Sequence, residues 1–309
     1  MGVDTGRPDA LRREGWVLRW HDEFDGDALD AGKWHCEQGN GFRDPASGEW
    51  IAGWGNEELQ HYTADPGNVF VRDSVLHIRA LRQSREGCEY TSARLRSRAA
   101  DGSALFAQRY GRFEFRARVP HGKGLWPALW LLPLEEHYGR WAASGEIDVM
   151  EVCGDAGHEV LGSIHFGCAF PQRELVTHRL RMPPGAGIGD WHCYAVEWEP
   201  GCISWELDGT KWASQDFWWS CSRTREGAGV RPQGEHEINA WPAPFDRPFY
   251  LVMNIAVGGN FPGSPDGSTP FPADLMLDYV RVYERQGGYA DPAPRGRGRL
   301  PWQESDHVA

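Results

Sequence analysis

The sequence has no apolar run approaching the roughly 20 residues that a membrane-spanning helix needs, which excludes a helical membrane protein and makes a membrane an unexpected partner. It also lacks a basic surface: 32 Lys+Arg stand against 44 Asp+Glu, for a formal net charge of -12. The one local reversal is Arg295, Arg297 and Arg299. An acidic chain repels a phosphate backbone, so nucleic acid is excluded as a partner. Residues 1–15, an N-terminal extension with Arg7, Asp9, Arg12, Arg13 and Glu14, carry no apolar stretch of the kind a secretory leader has. Either the protein stays inside the cell or the chain begins after a removed leader. Cys36, Cys88, Cys153, Cys168, Cys193, Cys202 and Cys221 form no C-x-x-C pair and no metal-ligand spacing. They read as mostly reduced and buried, with room for a stray disulfide. Helical periodicity and internal repeats are nearly absent as well.

What the chain does have is 16 Trp, 38 Gly and 21 Pro, with hydrophobic residues at 40%. Many turn residues and many flat rings point to an all-β protein whose indoles are mostly core, with a minority left to stack sugar rings in a groove. Residues 111–119 alternate apolar and charged side chains with period two, the mark of a half-buried strand. Hairpins are expected around Arg72-Asp73 and around Glu199 to Cys202, and another turn at Asp208-Gly209. Phe249 to Val257 is almost wholly apolar and reads as a strand buried on both faces, with Leu275 to Tyr283 following as the last one. Strands spread over 16–285 without helices or a linker argue for one β-sandwich domain of jelly-roll type. Residues 286–309, rich in Gly, Pro and charge, read as a flexible tail. The interior stretch from Phe217 to Pro244 is the least regular, and loops that long usually carry function.

Candidate chemistry concentrates in Gly145-Glu146-Ile147-Asp148-Val149-Met150-Glu151. Glu146 and Asp148 are two apart and share a strand face, while Ile147 and Val149 point to the core. A β-bulge with Met150 as the extra residue would return Glu151 to the acidic face. The two glutamate backbones would then lie about 13 Å apart, at roughly 3.3 Å per residue, and leaning side chains could close on each other. Retaining glycosidases hold their two carboxyls about 5 to 5.5 Å apart. Crowding three acids also pushes their pKa values apart, leaving one protonated to serve as an acid. A solvated acidic strand or a calcium site are the other readings, but alternate strand residues do not wrap an ion.

Here the chain resembles the family-16 glycoside hydrolases, in particular the laminarinase-like endo-1,3-β-glucanases with their E-x-D-x-x-E signature. Further matching landmarks are Asp22-Glu23-Phe24, Trp54 to Gln60, Gly124 to Pro133, Ala256 to Asn260 and Asp278 to Tyr283. The resemblance implies a concanavalin-like jelly-roll sandwich of two curved antiparallel sheets, with the acidic strand in an open cleft. It implies Glu146 as nucleophile, Glu151 as acid/base and Asp148 between them, in retaining hydrolysis of a β-glucan polysaccharide by a monomer that acts outside the cell. Substrate contacts carried over are Asn56 and Arg94 for hydroxyls, Trp126 and Trp130 for stacking, and His165 toward the leaving group. Trp141 and Trp219 are added from flanking loops. No cofactor is implied for catalysis. A structural calcium is, at Glu23, Asp278 and the carbonyl of Ser74, where the family usually has Gly. Leu161-Gly162-Ser163 replaces the usual His-Gly-Thr, which leaves open a galactan-active or transglycosylating relative. A glucan-binding protein without catalysis is the alternative from another class, although such proteins typically lack the acids present here.

Overall fold

Period-two alternation decides which side of each strand meets the core. In the computed structural model, which describes residues 11–44, 47–154, 157–183, 185–222 and 231–303, nineteen strands account for nearly all regular structure. In chain order they are β1 Trp16–Asp22, β2 His35–Glu37, β3 Gly41–Arg43, β4 Trp50–Ala52, β5 Gln60–Tyr62, β6 Val69–Arg72 and β7 Val75–Ala80. Then come β8 Tyr90–Ser92, β9 Arg94–Arg96, β10 Gly111–Arg118, β11 Leu125–Pro133, β12 Glu146–Glu151 and β13 Glu159–Gly167. The remainder are β14 Arg173–Arg181, β15 His192–Glu199, β16 Cys202–Leu207, β17 Thr210–Gln215, β18 Phe249–Val257 and β19 Ala273–Arg285.

Two large antiparallel sheets make the expected jelly-roll sandwich. One is eight-stranded, β17-β16-β15-β10-β19-β7-β6 with β1 on β19; the other is seven-stranded, β14-β13-β12-β11-β18-β9-β2. Phe113, Phe115, Val196, Trp198, Val280 and Val282 from the first meet Leu129, Leu131, Ile147, Ile164, Met253 and Ile255 from the second in one core. All nine residues of β18 are buried, as its apolar run required.

The hairpins form, one of them with a shifted turn. β6 and β7 close with Arg72 opposite Val75, so the two-residue turn is Asp73-Ser74, both left-handed at φ 52 and 57, rather than Arg72-Asp73. That backbone state suits glycine, the usual residue at position 74 in the family the sequence resembles. β15 and β16 turn at Pro200-Gly201, and β16 and β17 at Asp208-Gly209, where φ is again positive.

Two readings need correction, and a third gains detail. The outward face of β10 is not simply solvated: Arg112 has 0% exposure and is enclosed by the carboxylates of Glu114, Glu197 and Glu206 at 2.9, 3.1 and 2.7 Å, which neutralise it. Cys36, Cys88, Cys153, Cys193 and Cys202 are thiols outside any disulfide, as expected, but only half-buried, whereas Cys168 and Cys221 form a disulfide. The Phe217 to Pro244 stretch is bound into the fold on both sides of residues 223–230, which lie outside the described residues. Trp218 is fully buried and its indole N–H donates to the Pro242 carbonyl at 2.8 Å, while Gly167 and Ser220 form a parallel bridge.

Residues 286–303 lie along the sandwich rather than apart from it. Their backbone bonds run from Ala293 N to Pro200 O and from Gly296 N to Asp216 O, and the Trp241 indole donates to Ala293 O at 2.7 Å. Tyr289, Leu300 and Trp302 add apolar contact to the core, which low overall hydrophobicity had not suggested.

Candidate active site

β12 pairs with β11 on one side and β13 on the other, and both pairings slip by one residue. Leu129 faces Met150 but Trp130 faces Asp148, and against β13 Ser163 faces Asp148 while Leu161 faces Glu151. The bulge therefore exists, centred on Val149-Met150, with Val149 the residue skipped against β11 rather than Met150. Its cause lies in the opposite sheet. Trp205, fully buried, donates its indole N–H to the Asp148 carbonyl at 2.8 Å. The same ring fills the space beside Gly162, where a Cβ would come within 2.4 Å of it. Ile147, Val149 and Met150 all stay in the core. The extra residue returns Glu151 to the side of Glu146 and Asp148.

The two glutamates have separate donors, and His165 is common to Glu146 and Asp148. His165 Nε2 lies 3.4 Å from Glu146 Oε1 and 3.4 Å from Asp148 Oδ2. Trp141 donates its indole N–H to Glu146 at 2.8 Å, and Trp126 donates to Glu151 at 2.9 Å. Ser163, directly opposite Asp148, turns its hydroxyl to the other glutamate and donates to Glu151 at 3.3 Å. A hydroxyl thus persists where the family uses threonine. Leu161, 2% exposed, takes the family histidine's place in the register opposite Glu151.

Burial is the first cause of every pKa displacement here. It pushes Glu146 up to about 8, with the charge of Asp148 adding and His165 opposing. Asp148 is raised furthest by burial and then by the charge of Glu151, and Glu151 is raised by burial against the pull of His165, Trp126 and Ser163. Below the ordinary carboxylate range these groups are protonated in both folded and unfolded chains. As pH rises from there toward 8, ionisation favours the unfolded chain, so stability falls. Glu146→Gln, which cannot ionise, is expected to raise the melting temperature by on the order of 5 °C at pH 8 and by nothing measurable at pH 4. Thermal scans at the two pH values check this; an equal shift at both would contradict it.

The rest of the sequence-derived set divides. Arg94 is no ordinary exposed arginine: it pairs with Glu37 at 2.6 Å and lies between the rings of Trp54 and Trp130, 4.6 and 4.8 Å from their centroids. Trp130 donates its indole N–H to Asn254 at 2.8 Å, so part of its ring and its polar edge are already engaged. Asn56 donates to Glu58 at 3.3 Å. Glu58, Glu37, Asn254 and Ser163 belong to this neighbourhood and were not singled out from sequence. Glu58 stood inside the Trp54 to Gln60 landmark, and its burial with Gln60 and Tyr62 as donors is the signal that only the fold supplies. Trp219, by contrast, is 1% exposed and packs edge-on against Phe166, which removes it from the cleft.

The calcium expectation meets residues that do not fit it. Glu23 takes two charge-assisted bonds from Arg281, at 2.9 and 2.7 Å, and Asp278 takes one from Arg116 at 2.5 Å. Each carboxylate already has its cation, so no metal is assigned to Glu23, Ser74 and Asp278. Ligand atoms of Glu146, Asp148 and His165 do lie within 4.8 Å of one another. Their geometry suits sharing a proton, and with Glu151 the strand presents three carboxyls on one face.

Comparison with known proteins agrees with this geometry. The family model for glycosyl hydrolases family 16 matches residues 57–216. The glucan endo-1,3-beta-glucosidase A1 of Niallia circulans is 41% identical over 297 residues, which is 92% of this chain and 40% of that protein, so the chain spans well under half of its length. The beta-glucanase of Rhodothermus marinus is 40% identical over 280 residues, covering 87% of this chain and 85% of that one. Among solved structures, the catalytic domain of an endo-1,3-beta-glucanase (laminarinase) from Thermotoga petrophila superposes with a TM-score of 0.71 at 35% identity, covering 88% of this chain and 99% of the other.

Proposed function

Because the chain belongs to glycosyl hydrolase family 16, we propose that it is a retaining, endo-acting hydrolase of β-1,3-glucan. The observation that carries this reading is the bulge that sets Glu146, Asp148 and Glu151 on one face of β12, with separate indole donors on the two glutamates. Glu146, oriented by Trp141 and His165, attacks the anomeric carbon as the glycosidic bond breaks. Glu151, oriented by Trp126 and Ser163, gives its proton to the departing oxygen, then takes one from the water that releases the glycosyl-enzyme. Asp148, whose carboxyl is held toward its neutral form by burial and by the charge of Glu151, sits between the two glutamates in sequence and limits the negative charge that builds up on the strand. Asn56 and Arg94 contact sugar hydroxyls, while Trp126 and Trp130 offer ring surface to sugars. Nucleophile, acid and water suffice, so the chemistry needs no cofactor. All residues invoked come from one chain, so a monomer suffices too, and a polymeric substrate places the action outside the cell. Among the described residues no helix is long and apolar enough to cross a membrane.

Reducing-sugar release from laminarin, mixed-linkage glucan, agarose and carrageenan tests the reading. Laminarin is expected to be cleaved fastest. Preference for agarose or carrageenan would turn the assignment to a galactan, and tight laminarin binding without products would make the protein a glucan binder.

A further inference from the structure

Among the described residues Phe170 is the most exposed large apolar side chain, at 65%, and it stands beside the chemistry. Its backbone N–H donates to the Trp141 carbonyl at 2.9 Å and its ring lies against the Trp141 ring, centroids 6.2 Å apart and planes 29° from parallel. Trp141 is the residue whose indole holds Glu146. The mount is firm. Gly167 N donates to Trp219 O, Cys221 N donates to Gly167 O, and the Cys168–Cys221 disulfide ties the segment carrying Phe170 to the bridged segment between β17 and β18. The sheet continues outward on the same side: Glu146 faces His165 across β12 and β13, and His165 faces Leu175 on β14, itself 44% exposed. Arg173 holds its guanidinium 5.2 Å from the Trp141 centroid.

An aromatic ring left in water on a rigid support loses little conformational entropy when something covers it, and a β-glucosyl unit, with its hydroxyls equatorial, presents an apolar C–H face of matching size. We propose that Phe170, with Leu175 on the neighbouring strand β14 and Arg173 as hydroxyl donor, forms a further glucosyl subsite on the β14 side of the catalytic carboxylates, beyond the sugars that flank the bond being cut. The assignment rests on the glucan-hydrolase reading above. Binding at a subsite remote from the reacting bond contributes to kcat/KM only for substrates long enough to reach it.

The experiment compares wild type, Phe170→Ala and Phe170→Trp on laminari-oligosaccharides of graded length. Phe170→Ala is expected to lower kcat/KM roughly five- to twentyfold on the longest substrates, mainly through KM, and to leave the shortest cleavable one unchanged. Phe170→Trp is expected to keep the wild-type length dependence, and all three proteins to melt alike. A length dependence in Phe170→Ala identical to wild type would overturn the subsite. So would an equal fall at every length, which would mean that Phe170 acts only by supporting Trp141. If wild type cleaves none of these substrates, the hydrolase reading falls first and the subsite with it.

Discussion

Glu146→Ala is expected to lower kcat on laminarin by roughly 10⁴-fold or more, the scale seen when an attacking side chain is removed while the rest of a site remains. The geometry explains why so much depends on one carboxylate. The Trp141 indole donates to it, and His165 lies 3.4 Å from both it and Asp148, so in the proposed reaction its position is fixed from two sides. Because burial holds Glu146 up at about 8, removing it also relieves a desolvated acid, so the inactive variant should melt no lower than wild type above neutral pH. Activity measured with melting temperature therefore separates loss of chemistry from loss of fold. A variant retaining a tenth of the wild-type rate would refute the assignment.

Glu151→Ala is expected to show a different pattern. General acid catalysis contributes typically about 10²–10⁴-fold, so turnover of laminarin should fall by that range. An aryl glucoside whose leaving group needs no proton should form the glycosyl-enzyme at close to the wild-type rate and then stall, since the same residue must activate water. The pH profile should change as well. With Glu146 and Glu151 both raised by burial, wild type is expected to lose activity on the alkaline side as the Glu151 proton is lost, and that limb should vanish in the variant. Stopped-flow release of the aryl group against steady-state turnover checks the first point, and kcat/KM from pH 4 to 9 the second. Equal losses on laminarin and on the activated glucoside would contradict the role.

Much of this was legible because strands advertise themselves locally. The alternation in β10, the apolar run of β18 and the spacing of Glu146 and Asp148 each follow from a period of two, and the need for a bulge followed from Glu151 falling out of phase. The choice of Val149 over Met150 as the skipped residue could not be read that way, since both are apolar and both end in the core. Trp205, some 50 residues downstream in the other sheet, settles it through one hydrogen bond to Asp148 O at a sequence separation of 57. The same limit hid the Cys168–Cys221 bridge and the burial of Trp219, which depend on a strand segment closing against the end of β13. Arg112 shows the converse case: a charged residue in perfect alternation is assigned to solvent unless its three carboxylate partners, Glu114 on its own strand and Glu197 and Glu206 on two others, are seen at once.

Proton NMR of the chain ends released in the first minutes of laminarin hydrolysis tests the central arrangement, two glutamates converging on one glycosidic bond across a bulged strand. The account predicts that the β-anomer accumulates first and then drifts to the equilibrium mixture. First appearance of the α-anomer would require a water between the carboxyls and a direct displacement, and would contradict it.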